Sequence, residues 1–211
     1  MDVETLEIGL FASNCHIISN DKGDALVVDP GDEGTRIIDA LQRRNLKVAY
    51  YLITHGHVDH VSALAEVAAA LPAPVAMHPL DAKWAFQPVN QMPPYYGTPK
   101  APPSIDRDLD DGQEWTDADL TYRVLFTPGH APGHVSFYFP DAQALFCGDV
   151  LFQGSIGRLD LPGGNVKDME NSLQKLLALP DETVVYTGHG PATTIGQERR
   201  TNPFLRSGAL G

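Results

Sequence analysis

The hexapeptide His55-Gly-His-Val-Asp-His60 concentrates four side chains that can bind metal ions. Three of the eight histidines of the chain fall within it, together with Asp59. With the composition of this chain, the pattern H-x-H-x-D-H would arise by chance with a probability of roughly one in a thousand. Imidazole nitrogens and carboxylate oxygens are the ligands that zinc, iron and similar divalent ions take in proteins. Four ligands exceed what one metal with an open catalytic position needs, so the spacing favours two metal ions.

The hexapeptide lies between a predicted strand over residues 48–53 and the predicted helix that follows. In extended backbone the side chains alternate from one side to the other. We therefore expect His55, His57 and Asp59 to project to the same side. The turn into the helix would direct His60 to a second position nearby.

Three further segments place an ionisable residue in a glycine-containing turn after a predicted strand. They are 126–130 (FTPGH), 146–149 (FCGD) and 186–190 (YTGHG). Active sites of α/β folds usually lie in loops at strand ends, and glycine beside a ligand permits a tight turn and leaves room for a metal. His130, Asp149 and His189 are each typical of an ordinary turn when taken alone. Together with the hexapeptide they form a set of seven candidate metal ligands.

The order of these motifs resembles the metallo-β-lactamase superfamily. The earlier turn 27–31 (VVDPG) matches the aspartate turn that this superfamily places before its metal motif. The resemblance extends over essentially the whole chain. It implies an α/β fold, namely an αβ/βα sandwich of two packed mixed β-sheets with helices on the outer faces and metals at one edge. It further implies one metal bound by His55, His57 and His130, a second bound by Asp59, His60 and His189, and Asp149 bridging both.

Within the superfamily, the chain is most similar to the short bacterial form of the glyoxalase II (hydroxyacylglutathione hydrolase) group. The segments that carry this similarity are 127–134 (TPGHAPGH), 148–152 (GDVLF), 154–158 (GSIGR) and 198–204 (ERRTNPF). The resemblance implies a cytoplasmic thioester hydrolase, acting on S-lactoylglutathione or a related hydroxyacyl thioester by attack of a hydroxide that bridges two metals. Only 22 residues (211 − 189) follow His189. We therefore expect the C-terminal helical domain of full-length glyoxalase II, which supplies much of its glutathione site, to be absent.

A persulfide dioxygenase of the same superfamily is the main alternative. Its relatives carry much the same histidines and aspartates around a single iron, and it would act on glutathione persulfide. Gly157-Arg158 followed by Asp160 also has a counterpart there, whereas 127–134 and 154–158 look closer to the hydrolases. A lactonase, a β-lactamase, a nuclease and a metal-binding module without catalysis are weaker alternatives.

Two divalent cations are the expected cofactors. Zinc is the first expectation, and iron and manganese are alternatives because the ligand mix suits all three. Asp59 is expected to orient the attacking hydroxide through its non-ligating oxygen. Asp29 is expected to support a ligand from behind, since ligating histidines usually donate their other N–H to a carboxylate or carbonyl. A simple turn before Pro30 is the alternative for Asp29.

Four residues are candidate substrate contacts. Arg158 is one because guanidinium pairs well with carboxylate, although a surface ion pair would also explain it. His134 lies four residues after His130 and could reach the rim of the site, or pack at the start of a strand. Tyr95 and Tyr96 lie in a segment that is rich in proline.

That segment, residues 88–108, is predicted to be a long surface loop within a single domain that covers residues 1–211. Six prolines fall between Pro88 and Pro103, and proline at this density cannot continue a helix or a central strand. Loops of this length are often functional.

Short apolar runs alternate with helical patterns along the chain, which predicts the α/β class. Strands are predicted over 6–10, 15–19, 25–28, 48–53, 75–78, 121–126, 135–139, 144–147 and 184–187. Helices are predicted over 34–43, 61–71 and 167–179.

Charge and composition narrow the function classes. The chain has 15 basic and 27 acidic residues, a net charge of −12, which disfavours a nucleic acid or an anionic membrane as partner. The two cysteines, Cys15 and Cys147, are too few for a disulfide framework. The first residues do not resemble a secretory signal, and no apolar run approaches the ~20 residues that span a bilayer. We therefore expect a cytoplasmic enzyme whose partner is a small-molecule thioester, and infer no protein partner.

Overall fold

The first half of the chain forms a mixed sheet of six strands. A computed structural model describes residues 1–205. The strands are β1 (Asp2–Ile8), β2 (Ser13–Ser19), β3 (Asp24–Val28), β4 (Lys47–Leu52), β5 (Val75–Met77) and β6 (Arg107–Asp108). They lie in chain order across the sheet. The pairs from β1 to β3 are antiparallel and those from β3 to β6 are parallel.

The second half forms another mixed sheet of six strands and a small hairpin. The strands are β7 (Glu114–Asp117), β8 (Leu120–Phe126), β9 (Val135–Phe139), β10 (Ala144–Phe146), β11 (Leu151–Phe152), β12 (Ser155–Ile156), β13 (Val184–Tyr186) and β14 (Thr193–Thr194). The order in this sheet is β14-β13-β10-β9-β8-β7, while β11 and β12 pair with each other. Only the β10–β13 pair of this described sheet is parallel.

Six α-helices and two short 3₁₀ turns connect the strands in the described part of the chain. The helices are α1 (Gly34–Arg43), α2 (Val58–Val61), α3 (Leu64–Ala70), α4 (Pro79–Ala82), α5 (Val166–Leu177) and α6 (Ile195–Thr201), and the 3₁₀ turns are Pro88–Asn90 and Pro203–Leu205. Among residues 1–205, each helix is too short or too polar to cross a bilayer.

The two sheets pack face to face because successive side chains of a strand point to opposite faces. In β3, Leu26 and Val28 pack between the sheets, against residues of the second sheet such as Val124 and Phe137. Ala25 and Val27 point the other way, toward the helices that cover the first sheet.

Helices cover the outer face of each sheet. Leu41 of α1 and Val67 of α3 belong to the apolar cluster outside the first sheet, and Met169 and Leu173 of α5 belong to the cluster outside the second. The resulting order of layers is helix, sheet, sheet, helix. The predicted αβ/βα sandwich is therefore confirmed.

The helix predicted over 61–71 corresponds to α3, which begins three residues later at Leu64 because a separate single turn, α2, precedes it. The hydrogen-bond ladder between them is interrupted: the Ala63 amide donates to the carbonyl of Pro30 (3.2 Å). The carbonyl of Asp59 accepts from the Ser13 hydroxyl instead (2.8 Å). Contacts with two distant segments thus shorten α2 to one turn.

Other differences from prediction concern short elements. The strand predicted over 6–10 is β1, which ends at Ile8 because Gly9 takes a left-handed conformation with φ +69°. Strands of two residues, such as β6, are too short to show a periodic pattern, and the prediction missed them.

The proline-rich segment carries the chain from the end of α4 back to the first sheet. Residues 91–106 contain an isolated bridge between Met92 and Tyr96 but no helix or strand. The last two residues of the predicted loop 88–108 form β6, which pairs with β5. The segment is therefore an excursion from the first sheet, and it lies beside the cleft described below.

Candidate metal centre

The four motifs meet at one edge of the sandwich, where loops from both sheets come together. The amide of Gly188 donates to the carbonyl of Gly148 (2.8 Å), and the amide of Asn14 donates to the carbonyl of Gly188 (2.7 Å). These backbone contacts join loops that follow β10 and β13 of the second sheet to the start of β2 in the first sheet.

The first cluster consists of His55, His57 and His130, whose candidate ligand atoms all lie within 4.8 Å of one another. His57 Nδ1 and His130 Nε2 are 2.8 Å apart. His55 and His57 follow β4 of the first sheet, and His130 lies in the loop between β8 and β9 of the second. Both sheets therefore contribute to this cluster.

The second cluster consists of Asp59, His60 and His189, which meet the same distance criterion. His189 Nε2 lies 3.3 Å from His60 Nε2 and 3.3 Å from Asp59 Oδ2. This cluster likewise combines two residues of the hexapeptide with one histidine from the second half of the chain.

Asp149 lies between the two clusters. Its Oδ2 is 3.4 Å from His130 Nε2 and 3.5 Å from His189 Nε2, and its Oδ1 is 3.6 Å from His60 Nε2. A Cβ atom on Gly188 would lie 2.0 Å from Asp149 Oδ1. Glycine at position 188 is therefore what allows this carboxylate to reach both clusters.

The alternation expected for the hexapeptide is wrong for Asp59. His57 is the last extended residue (φ −63°, ψ 148°), and α2 begins at Val58. Asp59 and His60 therefore lie on the first turn of a helix and share the second cluster. The division of the ligands that the superfamily resemblance implies matches the distances better than period-two alternation does.

The turn 27–31 holds the start of α2 in place. A Cβ atom on Gly31 would lie 1.8 Å from the carbonyl oxygen of Asp59. Glycine at this position lets the turn approach the helix closely, while the Ser13 hydroxyl binds the same carbonyl from the other side. The two contacts fix the backbone of Asp59.

The ring nitrogens that face away from the clusters are engaged by backbone carbonyls. His130 Nδ1 donates to the carbonyl of Arg158 (2.8 Å) and His189 Nδ1 donates to the carbonyl of Phe11 (3.0 Å). A carbonyl accepts only, so both rings carry their proton on Nδ1. Their Nε2 atoms then face Asp149 and are the atoms that would bind a cation in place of any proton they carry.

Asp29 lies behind the clusters. Its Oδ2 is 3.2 Å from His60 Nδ1 and also accepts from the Thr54 hydroxyl (2.5 Å), while its Oδ1 accepts from the Thr54 amide (2.8 Å). The Thr54 oxygen in turn lies 2.9 Å from His55 Nδ1. One buried carboxylate thus orients a histidine of each cluster, in the geometry expected for a residue that supports ligands.

Charge separates the two clusters. Burial lowers the pKa of His60, but the carboxylates of Asp59 and Asp149 outweigh it and raise that pKa to about 9. Burial also lowers the pKa of His189, but hydrogen bonds to the same two carboxylates outweigh it and raise that pKa to about 11. In the first cluster, burial and the neighbouring His130 lower the pKa of His57 to about 3. His55 and His57 of the first cluster are therefore uncharged at neutral pH, whereas the second cluster balances its carboxylates with protons on His60 and His189 that a cation would replace.

The residues present fit a pair of divalent cations. Among the described residues, His55 Nε2 and Asp149 Oδ1 are buried side-chain atoms without a hydrogen-bond partner. Buried polar atoms are normally paired, so these two indicate that something else binds there. Imidazole and carboxylate are donors that zinc, iron and manganese accept.

A cleft of about 810 Å³ opens onto both clusters. Its walls are largely apolar and come from five separate segments of the chain. These wall residues, which were not predicted from the sequence, are Phe11, Trp84, Met92, Phe152, Ile156 and Leu161. The Trp84 ring lies 5.3 Å from the ring of His57, and the Phe152 ring lies 6.0 Å from that of His189. The cleft therefore presents a hydrophobic surface beside each cluster.

Arg158 lines this cleft, as expected for a substrate contact. Its guanidinium group, however, forms two hydrogen bonds of 2.7 Å with the carboxylate of Asp160. An anionic substrate group would have to compete with that carboxylate.

The two tyrosines reach the cleft only through Phe11, whose ring lies 6.1 Å from Tyr95 and 5.3 Å from Tyr96. Tyr95 is 60% exposed. The Tyr96 hydroxyl donates to Asp32 (2.8 Å) and accepts from the amide of Leu10 (3.2 Å). Both tyrosines hold the wall of the cleft rather than forming it.

Of the two positions considered for His134, the structure shows packing at the start of a strand and not a place at the rim. Its side chain is fully buried and stacks on His55 at 4.9 Å. Its Nε2 accepts from the amide of Asp149 (3.1 Å), and its Nδ1 lies 3.1 Å from the Thr127 hydroxyl. β9 starts at the next residue, so the ring turns into the protein and supports the centre from below.

A double cluster of histidines and aspartates at the edge of an αβ/βα sandwich defines a class of α/β proteins that can bind a pair of metal ions. The family model of the metallo-β-lactamase superfamily matches residues 8–189. The chain belongs to this superfamily.

The chain is similar in sequence or in structure, over nearly its full length, to three proteins. Hydroxyacylglutathione hydrolase GloC of Haemophilus influenzae is 36% identical, and the match covers 98% of this chain and 99% of that protein. The crystal structure of the BLEG-1 B3 metallo-beta-lactamase is 38% identical with a TM-score of 0.92, covering 98% of this chain and all of that one. The crystal structure of TTHA1623 in a di-iron-bound form is 40% identical with a TM-score of 0.88, covering 96% and 100%.

Proposed function

We propose that this protein is a metal-dependent hydrolase that cleaves a thioester, with S-lactoylglutathione or a related hydroxyacyl thioester as its substrate. The observation that carries the proposal is the meeting of seven potential ligands at one edge of the sandwich, five of which line the same cleft. The similarity to hydroxyacylglutathione hydrolase GloC, over nearly the full length of both chains, supports the choice of substrate.

In this proposal the first cluster holds one divalent cation, the second cluster holds another, and Asp149 contacts both. When bound, such cations polarise a carbonyl oxygen and lower the pKa of water. Zinc is our first choice of metal. Iron is the alternative that the di-iron form of the similar protein TTHA1623 supports, and manganese is compatible with the same donors.

In this proposal, side chains of the protein orient the attacking water molecule and exclude bulk water from the cleft. Asp59, which is 13% exposed at its side chain, is placed to orient a water molecule in the cleft. Trp84 and Phe152 cover the two clusters and keep bulk water from the acyl carbon. A thiolate is a good leaving group, so the reaction needs no dedicated general acid. This agrees with a cleft in which nearly every ionisable side chain belongs to the two clusters.

The test combines metal analysis of the purified protein with release of thiol from S-lactoylglutathione in anaerobic buffer. We expect two metals per chain and turnover that a His189→Ala substitution lowers about 10³-fold in kcat/KM. His78 lies outside both clusters, so His78→Gln serves as the matched control and should keep full activity. One iron per chain, consumption of oxygen with glutathione persulfide and no thioester cleavage would replace the proposal with the dioxygenase.

A β-lactam hydrolase is a second candidate, favoured by the 38% identity to the BLEG-1 B3 metallo-beta-lactamase. A chromogenic cephalosporin assayed beside the thioester distinguishes the two. A higher kcat/KM for the cephalosporin would reassign the substrate while leaving the metal centre unchanged.

A further inference from the structure

A buried carboxylate outside the seven candidate ligands joins the two loops of the first cluster. Asp81, on the single turn of α4, has no exposed surface. Its Oδ2 accepts from the amide of Gly56 (2.8 Å), and its Oδ1 accepts from the amide of Gly133 (2.6 Å) and from Trp84 Nε1 (3.2 Å). Neither the composition nor the motifs single out this residue.

The two glycines whose amides bind Asp81 lie close in sequence to the candidate ligands of the first cluster. Gly56 stands between His55 and His57, and Gly133 is three residues after His130. The first glycine follows a strand of the first sheet, and the second precedes a strand of the other sheet. The two oxygens of one planar group therefore fix the distance between two loops that belong to different sheets.

This arrangement is costly to the carboxylate, which argues for a specific purpose. Burial raises the pKa of Asp81 to about 6 even though it accepts three hydrogen bonds. The fit is also tight, because a Cβ atom on Gly133 would lie 2.6 Å from the amide nitrogen of Asp81 and 2.8 Å from its Oδ1. Gly133 thus lets the loop approach closely enough for its amide to reach the carboxylate.

We propose that Asp81 is a positioning residue that holds the hexapeptide loop and the His130 loop at the separation a cation in the first cluster requires. Because Trp84 Nε1 donates a hydrogen bond to the same carboxylate, Asp81 also fixes the cleft wall beside His57. The inference rests on the proposed metal centre. It assigns Asp81 to the first cluster alone, since its side chain bonds to neither loop that carries His189 or Asp149.

The test is a calorimetric titration of metal-free protein with zinc. Asp81→Asn replaces one acceptor oxygen by an N–H₂ group that must face a backbone N–H. We expect one zinc ion to bind as in the unchanged protein and the other to bind about 10- to 100-fold more weakly, the usual cost of losing a residue that supports ligands. The absorption bands of cobalt bound in place of zinc should change for the weakened ion only.

Glu198→Gln is the matched control, because it makes the same change at another fully buried acid with three partners. Glu198 accepts from the amide of Gly154 (2.8 Å), the Thr193 hydroxyl (2.6 Å) and the Asn202 side chain (2.9 Å). It contacts none of the candidate ligands. If Asp81 served stability alone, both variants would lower Tm and leave the zinc affinities unchanged.

The outcomes separate this inference from the proposed function. If the unchanged protein binds no metal, the proposed function fails. If it binds metal and Asp81→Asn binds every ion with unchanged affinity, the positioning role of Asp81 is overturned while the function stands. Should Asp81→Asn not fold, Asp81→Ser, which removes the repulsive amide, is titrated in its place, with the same weakening of one ion expected.

Discussion

The first and second clusters are built in the same way, each with two residues of the hexapeptide and one histidine from the second half of the chain, yet their electrostatics differ. The pKa of His57 is lowered to about 3, whereas those of His60 and His189 are raised to about 9 and about 11. Burial lowers the pKa of all three rings. At His57 it prevails together with the neighbouring His130, whereas at His60 and His189 the carboxylates of Asp59 and Asp149 outweigh it.

The difference teaches how two adjacent metal positions can be made unequal with the same residue type. A cluster of neutral imidazoles offers lone pairs without charge, while a cluster with carboxylates brings its own negative charge to a cation. Substitutions that remove the shared carboxylate, damage one cluster at a time, or alter a buried histidine that has no carboxylate beside it test this difference.

Removal of Asp149 should have the largest effect, because this carboxylate belongs to both clusters. Asp149→Ala should lower kcat/KM for the thioester by about 10⁴-fold, since the loss of several kcal/mol of charge stabilisation falls on both positions. Metal content should fall below that of any single-cluster variant. Asp160→Asn, at an exposed carboxylate paired with Arg158, is the control, and retained metal in Asp149→Ala would contradict the bridging position.

Separate damage to each cluster should cost about 10³-fold in kcat/KM, a smaller loss because one position remains. His57→Ala and His189→Ala are the paired variants. Each should retain one zinc ion per chain by elemental analysis. If His57→Ala lost both ions, the two clusters would form one site and the comparison would fail.

His16 shows what burial does to a histidine in this protein without a neighbouring carboxylate. It lies between the sheets, with Nε2 3.1 Å from the carbonyl of Thr187 and Nδ1 3.0 Å from the Thr5 hydroxyl. Burial lowers its pKa to about 4, so the unfolded chain binds its proton first as the pH falls. Its contribution to stability is complete above the unfolded pKa near 6.5 and is lost as the pH falls through this window toward 4.

The expected loss between pH 7 and pH 5 is about 2 kcal/mol. It is measured as the difference in free energy of unfolding between the unchanged protein and His16→Gln at pH 7 and pH 5. The unchanged protein should lose stability more steeply. Parallel curves would mean that His16 is charged in the folded state, and burial would then not explain the first cluster either.

The cleft walls give the smallest effect. Trp84→Ala and Phe152→Ala each remove an aromatic ring beside one cluster, and each should raise KM about 10-fold, in line with the loss of 1–3 kcal/mol of apolar contact. Leu80→Ala, at an exposed side chain, is a suitable control. A fall in kcat with unchanged KM would mean that the rings position ligands rather than substrate.

The candidate ligands could be recognised from sequence because metal binding restricts residue type and because turns restrict their neighbours. His55, Asp149 and His189 each lie in a motif that is short and local. The short apolar runs and helical patterns likewise predicted the α/β class, whereas the αβ/βα sandwich was implied by the resemblance to the metallo-β-lactamase superfamily.

Other features depend on contacts that no local pattern encodes. Asp59 shares the second cluster because α2 begins at Val58, and His57 before it has no side-chain cap that would mark a helix start. Asp81 contacts a glycine 52 residues away. For His134 both a rim position and packing at a strand start stayed open, because the sequence cannot tell which way a ring turns at the start of a strand.

The division of each cluster between the two halves of the chain has a consequence for assembly. A chain in which only residues before the proline-rich segment have folded holds two residues of each cluster, and the remaining histidine arrives with the second sheet. Metal capture therefore reports that the two sheets have docked. Bound cations would hold the two sheets together at this edge of the sandwich. The protein would then acquire its activity and its last increment of stability in the same event.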